Sequence, residues 1–253
     1  MSRRLRDFLE PRARRYAPTP ADRIRRYATL VDDAGSERPA DVGIVDAMIR
    51  FEERYGGLCY SPRDGNDHEY GLFGHPTAHR TSHGLAFPGI LDGSWTRRVD
   101  VLADGRTAMP IPRMPHRVID RSIDQRLEAD ALLAGVHRWP HLVLRTTTRP
   151  GADPPVAEEH LPPRAHRATG PADMWWFDDG SAVNLRLHSW WTTPRRDVWT
   201  VRCFVRDGGT LGRTASAVRA AVPDLATAAD DWCSLCTRFV GPGQACEPAG
   251  LVT

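Results

Sequence analysis

Apolar residues recur every third or fourth position through Ile44, Val45, Met48, Ile49, Phe51 and Tyr55. That spacing lays one apolar stripe along a helix. Pro39 and Asp41 stand where a helix N-terminus prefers them. Gly56 and Gly57 close the run, because glycine takes a left-handed cap conformation without strain. The pattern then becomes strand-like at Leu58, Cys59 and Tyr60. Upstream, short helices are predicted near residues 3–10 and 21–33. In the second of these, Ile24, Tyr27, Leu30 and Val31 carry the spacing.

Downstream, residues 70–73 read as a short strand and the His- and Pro-containing stretch 74–84 as irregular. Residues 85–93 read as a strand interrupted at Pro88. A strand over 98–102, a hairpin-like turn over 103–106 and a returning strand over 107–111 follow. Ser122, or alternatively Asp120, caps a helix over 123–133 that turns Leu127, Ala131 and Leu132 inward. Residues 149–173 hold six prolines and few apolar positions, as in a linker or exposed loop. Beyond them, Val183, Leu185 and Leu187 alternate with polar residues, as do Trp199, Val201, Cys203 and Val205. Both are period-two patterns of half-buried antiparallel strands. Residues 174–177 supply a third strand, and a helix interrupted near Pro223 is predicted over 214–240.

The elements predict an α+β protein in four segments. Residues 1–38 form an arginine-rich helical arm, 39–148 a mixed-sheet domain and 149–173 a Pro-rich linker or loop. Residues 174–253 form a Trp-rich β-meander with a helix. A chain of 253 residues is long enough for a substantial core.

Charge alters the functional picture more than the fold. All 34 basic residues are arginine, against 32 acidic ones, for a net charge of +2. That balance is no nucleic-acid footprint, and no nucleic-acid partner is expected. The absence of lysine removes Walker A phosphate loops, protein-kinase chemistry and Schiff-base catalysis, unless a partner supplies the amine. The stretch after the opening SRRLRDFL is charged and Pro-rich, so it does not continue as an export signal. No apolar run approaches the ~20 residues of a membrane span. A cytoplasmic protein without a membrane partner is the expectation.

Candidate chemistry is sparse. His75, His79 and His83 are four apart. On a helix they would share a face and could ligate a metal, but Pro76 and Gly84 speak against a helix, so a polar surface loop is the competing reading. Cys233, Cys236 and Cys246 make a C-x2-C…C set. That is half of a structural zinc site or a group of buried structural cysteines. Five cysteines in a chain of this size do not read as a secreted disulfide framework. The zinc-protease HExxH, the nucleophile elbow GxSxG and the deaminase HxE with PCxxC are all absent. No catalytic residue is singled out and no cofactor is expected. Trp175, Trp176, Trp190, Trp191, Trp199 and Trp232 crowd the second half. They serve either a core or, where neighbours on a strand point to opposite faces, an exposed contact surface.

Residues 41–60, DVGIVDAMIRFEERYGGLCY, resemble the opening of the SUKH superfamily. These are α+β domains found among bacterial toxin-immunity proteins, with relatives in yeast cell-wall signalling. EYGLFG (69–74), VDVLADGRTAMP (99–110) and VIDRSIDQRLEADALL (118–133) follow in that family's order. The resemblance spans residues 39–135. It implies a protein-binding protein rather than an enzyme, one that occludes a toxin's active site. Where the toxin is a nuclease with a basic site, an acidic patch should face it. Asp64, Asp67 and Glu69 are the candidates, while Gly56 and Gly57 are structural markers. An intracellular scaffold or regulator and a metal-dependent enzyme built on the three histidines are the alternatives.

Overall fold

The computed structural model describes residues 1–62, 69–92, 98–111, 114–187, 196–227, 231–233 and 238–240. Its compact units are residues 1–131 and 132–253; the first combines helices with a mixed sheet and the second with an antiparallel one. The fold class is α+β. The division falls at 131/132, so residues 132–148, attached to the first domain by sequence reading, lie in the second unit. No helix among the described residues is long and apolar enough to cross a membrane.

In the first unit, the arginine-rich segment is built into the fold. Helix α1 (Arg3–Arg12) is capped by Ser2, whose Oγ accepts from the Leu5 N–H at 3.0 Å. It buries Leu5 and Phe8, and Phe8 meets Tyr60 edge-on at 6.0 Å. Strand β1 (Ala13–Arg15) then pairs with β4 (Leu58–Tyr60). Helix α2 (Ala21–Tyr27) stops short of the predicted 21–33. Thr29–Val31, β2, pairs with β3 (Glu37–Pro39) and runs parallel to β6 (Thr77–Thr81). Sheet pairing with a distant strand overrides the local helical spacing.

Helix α3 (Val42–Tyr55) forms where the apolar stripe predicts it and buries Ile44, Met48, Ile49 and Phe51. The two glycines at its end play different parts. Only Gly57 is left-handed, at φ 75°. Gly56 has an ordinary φ of −51°, but a Cβ there would lie 2.3 Å from Glu52 Oε2 and 2.5 Å from the Glu52 carbonyl oxygen. Arg15 caps the same helix end by donating to the Glu53, Arg54 and Gly56 carbonyls.

The sheet continues through β5 (Tyr70–Leu72), β7 (Gly84–Asp92), β8 (Arg98–Leu102), β9 (Thr107–Ile111) and β10 (Met114–Asp120). Residues 77–92 differ from expectation. They form the β6–β7 hairpin, and β7 is one long strand that absorbs Pro88 at a register shift between Pro88 and Ile90. β5 and β6 share one edge of β7, while β8, β9 and β10 follow in turn from the other. α3 covers one face of this sheet: Phe51 packs edge-on against Phe87 at 5.6 Å. Gly89 leaves room there, since a Cβ would lie 2.4 Å from Val101 and 3.2 Å from the Phe51 ring. Helix α4 (Ile123–Val136) starts at Ser122, whose Oγ accepts from the Gln125 N–H at 3.1 Å.

The second unit is an antiparallel sheet in the order β12 (Asp173–Phe177), β13 (Ser181–Leu187), β14 (Asp197–Val205), β11 (His141–Thr148) and β15 (Ala226–Thr227). Trp175 and Trp176 point to opposite faces, and both are buried, as is Trp199. The expectation that one of the pair turns outward fails, because both faces of β12 are covered. Trp190 and Trp191, and the Trp232 side chain, lie outside the described residues. The Pro-rich stretch runs along the outer edge of β12. The Ala165 N–H donates to the Trp175 carbonyl, and the Phe177 N–H to that of Pro163. An edge covered by proline-containing chain cannot template further pairing. Helix α5 (Leu211–Ala221) is shorter than the predicted 214–240. Pro223 forces Val222 to an extended conformation, φ −120° and ψ 110°, which ends the helix. The chain then forms β15 and the hairpin of β16 (Asp231–Cys233) and β17 (Arg238–Val240).

Candidate functional site

Among the described residues of the first unit, two imidazoles, a carboxylate and a guanidinium meet on the sheet face opposite α3. Register places His79 beside Ala86, Ala86 beside Leu102, Asp100 beside Ala108, and Ala108 beside Val118. With side chains alternating along each strand, His79, Asp100 and His116 share this face with Ala86, Leu102 and Ala108. Four strand steps separate β6 from β10. In a flat sheet that is about 19 Å, yet the His79 and His116 ring centroids are 5.6 Å apart. The sheet is curled inward.

Two features produce the curl. β7 carries one register shift and β10 carries two, and such bulges bend strands and increase their twist. Ala86 and Ala108, both fully buried, line the inside of the bend together with Leu102 and Val118. Their small side chains let the sheet close. The β6–β7 turn also reaches β10, with His83 Nε2 2.8 Å from the His116 carbonyl oxygen.

At the centre stands Asp100, with 0% of its side chain exposed. Its Oδ2 lies 2.9 Å from His79 Nε2 and 3.1 Å from His116 Nε2, and its Oδ1 accepts from Arg98 Nε at 3.1 Å. Burial alone would push the carboxyl up. The hydrogen bond and charge of His79, the guanidinium of Arg98 and the His116 hydrogen bond outweigh it and hold the carboxyl below its usual range. The two imidazoles are about one-fifth exposed and Arg98 about half, so the cluster opens to solvent on their side. No family model, curated protein or solved structure matches this chain.

The structure does not bring the predicted histidine trio together. His79 joins the cluster, His75 is exposed, and exposed His83 meets it only through the His116 carbonyl. The spacing of four works only on a helix. On extended chain, four residues span about 13 Å, and the structure makes this segment a hairpin. The actual partners, Asp100 and His116, come from β8 and β10. A signal for Asp100 was present in the sequence: a lone carboxylate within Val99-Asp100-Val101-Leu102 must either face water or be paired when buried. His116 had no comparable signal.

Of the acidic candidates, Asp64 and Asp67 lie outside the described residues. Glu69 accepts from Arg14 Nη2 at 2.7 Å at the surface. Cys236 and Cys246 lie outside the described residues, as does the side chain of Cys233. Cys59 and Cys203 are buried free thiols, and burial pushes Cys203 up to about 12, so it is no nucleophile.

Proposed function

We propose that this protein acts by binding another protein, and specifically by covering the active site of a toxin domain, as the SUKH resemblance implies. The observation that supports this reading is the junction at residues 42–60. There α3 ends on Gly56 and left-handed Gly57, and the chain enters β4 directly. An antiparallel meander and the Ser122-capped α4 follow in the order of the resemblance. Glu69 suits the proposed acidic contact. Its pairing with Arg14 is an exposed ion pair, screened by solvent and weak, so a basic group on a partner can displace Arg14 at little cost.

The test is co-expression of the full chain with toxin-domain products of neighbouring genes, combined with a binding measurement on the purified pair. Protection of the host and a stoichiometric complex are expected. The triple change Asp64→Ala, Asp67→Ala and Glu69→Ala should weaken the complex while leaving the circular-dichroism spectrum and melting temperature unaltered. Absence of protection and of any complex across such products overturns the reading.

A further inference from the structure

We propose that His79, Asp100 and His116 form a binding site for one first-row transition-metal dication of the zinc class. The inference is independent of the toxin-binding reading. Two imidazole nitrogens and one carboxylate oxygen converge so that all three lie within 4.8 Å of one another. That donor set suits zinc, cobalt or nickel rather than calcium or magnesium, which prefer oxygen ligands alone.

The spacing fits. Zinc sits about 2.1 Å from each ligand, which sets tetrahedral ligand–ligand edges of about 3.4 Å. The two N···O separations, 2.9 and 3.1 Å, need to widen by only a few tenths of an ångström. Both imidazoles turn the same nitrogen, Nε2, toward the same oxygen, so each supplies one ligand atom when Nε2 is bare, its proton released to solvent and the ring's remaining hydrogen carried by Nδ1. Arg98 Nε holds the other carboxylate oxygen and fixes the direction in which Oδ2 points, as groups behind metal ligands commonly do. Three protein ligands leave a fourth position, on the side where the imidazoles and Arg98 reach solvent.

The competing account is a hydrogen-bonded clasp with no ion, in which the two imidazole N–H groups and Arg98 simply satisfy a buried carboxylate. Binding separates the two. Full-length protein stripped with chelator is titrated with Zn2+ and Co2+, with Mg2+ and Ca2+ as controls. One equivalent of Zn2+ or Co2+ is expected to bind, with neither control ion competing. The cobalt form should show the visible bands of a nitrogen–oxygen ligand set without a thiolate charge-transfer band. His79→Gln and His116→Gln should each weaken binding at least tenfold. Glutamine keeps an N–H for Asp100, so the clasp and fold survive, and the metal-free melting temperature checks this. Zinc should raise the melting temperature of the parent protein and leave both variants unmoved. The triple change Cys233→Ser, Cys236→Ser and Cys246→Ser should leave the cobalt spectrum intact. The proposal is overturned by the absence of saturable binding, by undiminished binding in both glutamine variants, or by a thiolate band that disappears in the serine variant.

Discussion

Gly57 stands at φ 75°, and a Cβ there would lie 2.2 Å from the Tyr16 carbonyl oxygen. The left-handed conformation alone costs a side chain about 1–2 kcal/mol. Tyr16 cannot easily retreat, because its N–H donates to the Gly57 carbonyl at 2.8 Å. Gly57→Ala should therefore cost about 2 kcal/mol or more. Gly105, at φ 89° with open space around it, is the control for conformational strain alone. Chemical denaturation should rank Gly57→Ala clearly below Gly105→Ala, and equal midpoints would refute the steric part of the argument. A second residue-level effect belongs to His141. It is fully buried, and burial lowers its pKa to about 4, despite the hydrogen bond its Nδ1 donates to the Trp139 carbonyl at 3.0 Å. In the unfolded chain it titrates near the ordinary histidine value, 6.5. Between those values the unfolded state holds more protons, so stability falls as pH drops from about 6.5 to about 4, by up to about 3 kcal/mol. Denaturation across that range should show the slope, and His141→Asn should flatten it.

Among elements, the N-terminal segment is held by more than its own apolar residues. Glu52, on α3 and 2% exposed, accepts from the Thr19 N–H through Oε2 at 2.8 Å and from the Gly74 N–H through Oε1 at 2.5 Å. One carboxylate thus ties the segment before α2 and the chain after β5 to one helix. Glu52→Gln replaces one acceptor with an N–H facing another N–H. A loss of about 1–3 kcal/mol is expected, read as a shift in the urea midpoint. Deleting residues 1–31 should be far more damaging. It removes β1 and β2 from the sheet, takes away the buried side chains of Leu5, Phe8, Ile24 and Leu30, and uncovers Tyr60, against which Phe8 packs. A truncated chain with native circular dichroism and an unchanged melting temperature would contradict this placement.

At the scale of the whole molecule, positive and negative charges nearly cancel, at 34 against 32. Any electrostatic steering of a protein partner must therefore come from a local patch, not from overall charge. If the proposed toxin-binding function holds, association with that partner should slow as salt rises from about 50 to about 500 mM, because the Debye length then shrinks to a few ångströms. The dissociation rate should change much less. An association rate indifferent to salt would refute the proposed acidic contact.

The sequence by itself determined the elements whose cause is local. The stripe from Ile44 to Tyr55 made α3, and the alternations around 98–111 and 183–205 made strands at nearly the expected residues. Ser122 marked the start of α4, and the glycine pair marked the end of α3. Sequence reading assigned no element to 114–120 or 141–148, and read 74–84 as irregular and 222–240 as helix. Two of these strands exist because distant partners complete their hydrogen bonds: β6 lies beside β2, and β11 beside β14. β10 and the β16–β17 pair are instead hairpins with near neighbours. The cluster of His79, Asp100 and His116 belongs wholly to tertiary structure. It depends on a bend across five strands, set by bulges and two alanines, and curvature of that kind is a property of the assembled sheet rather than of any window of the chain.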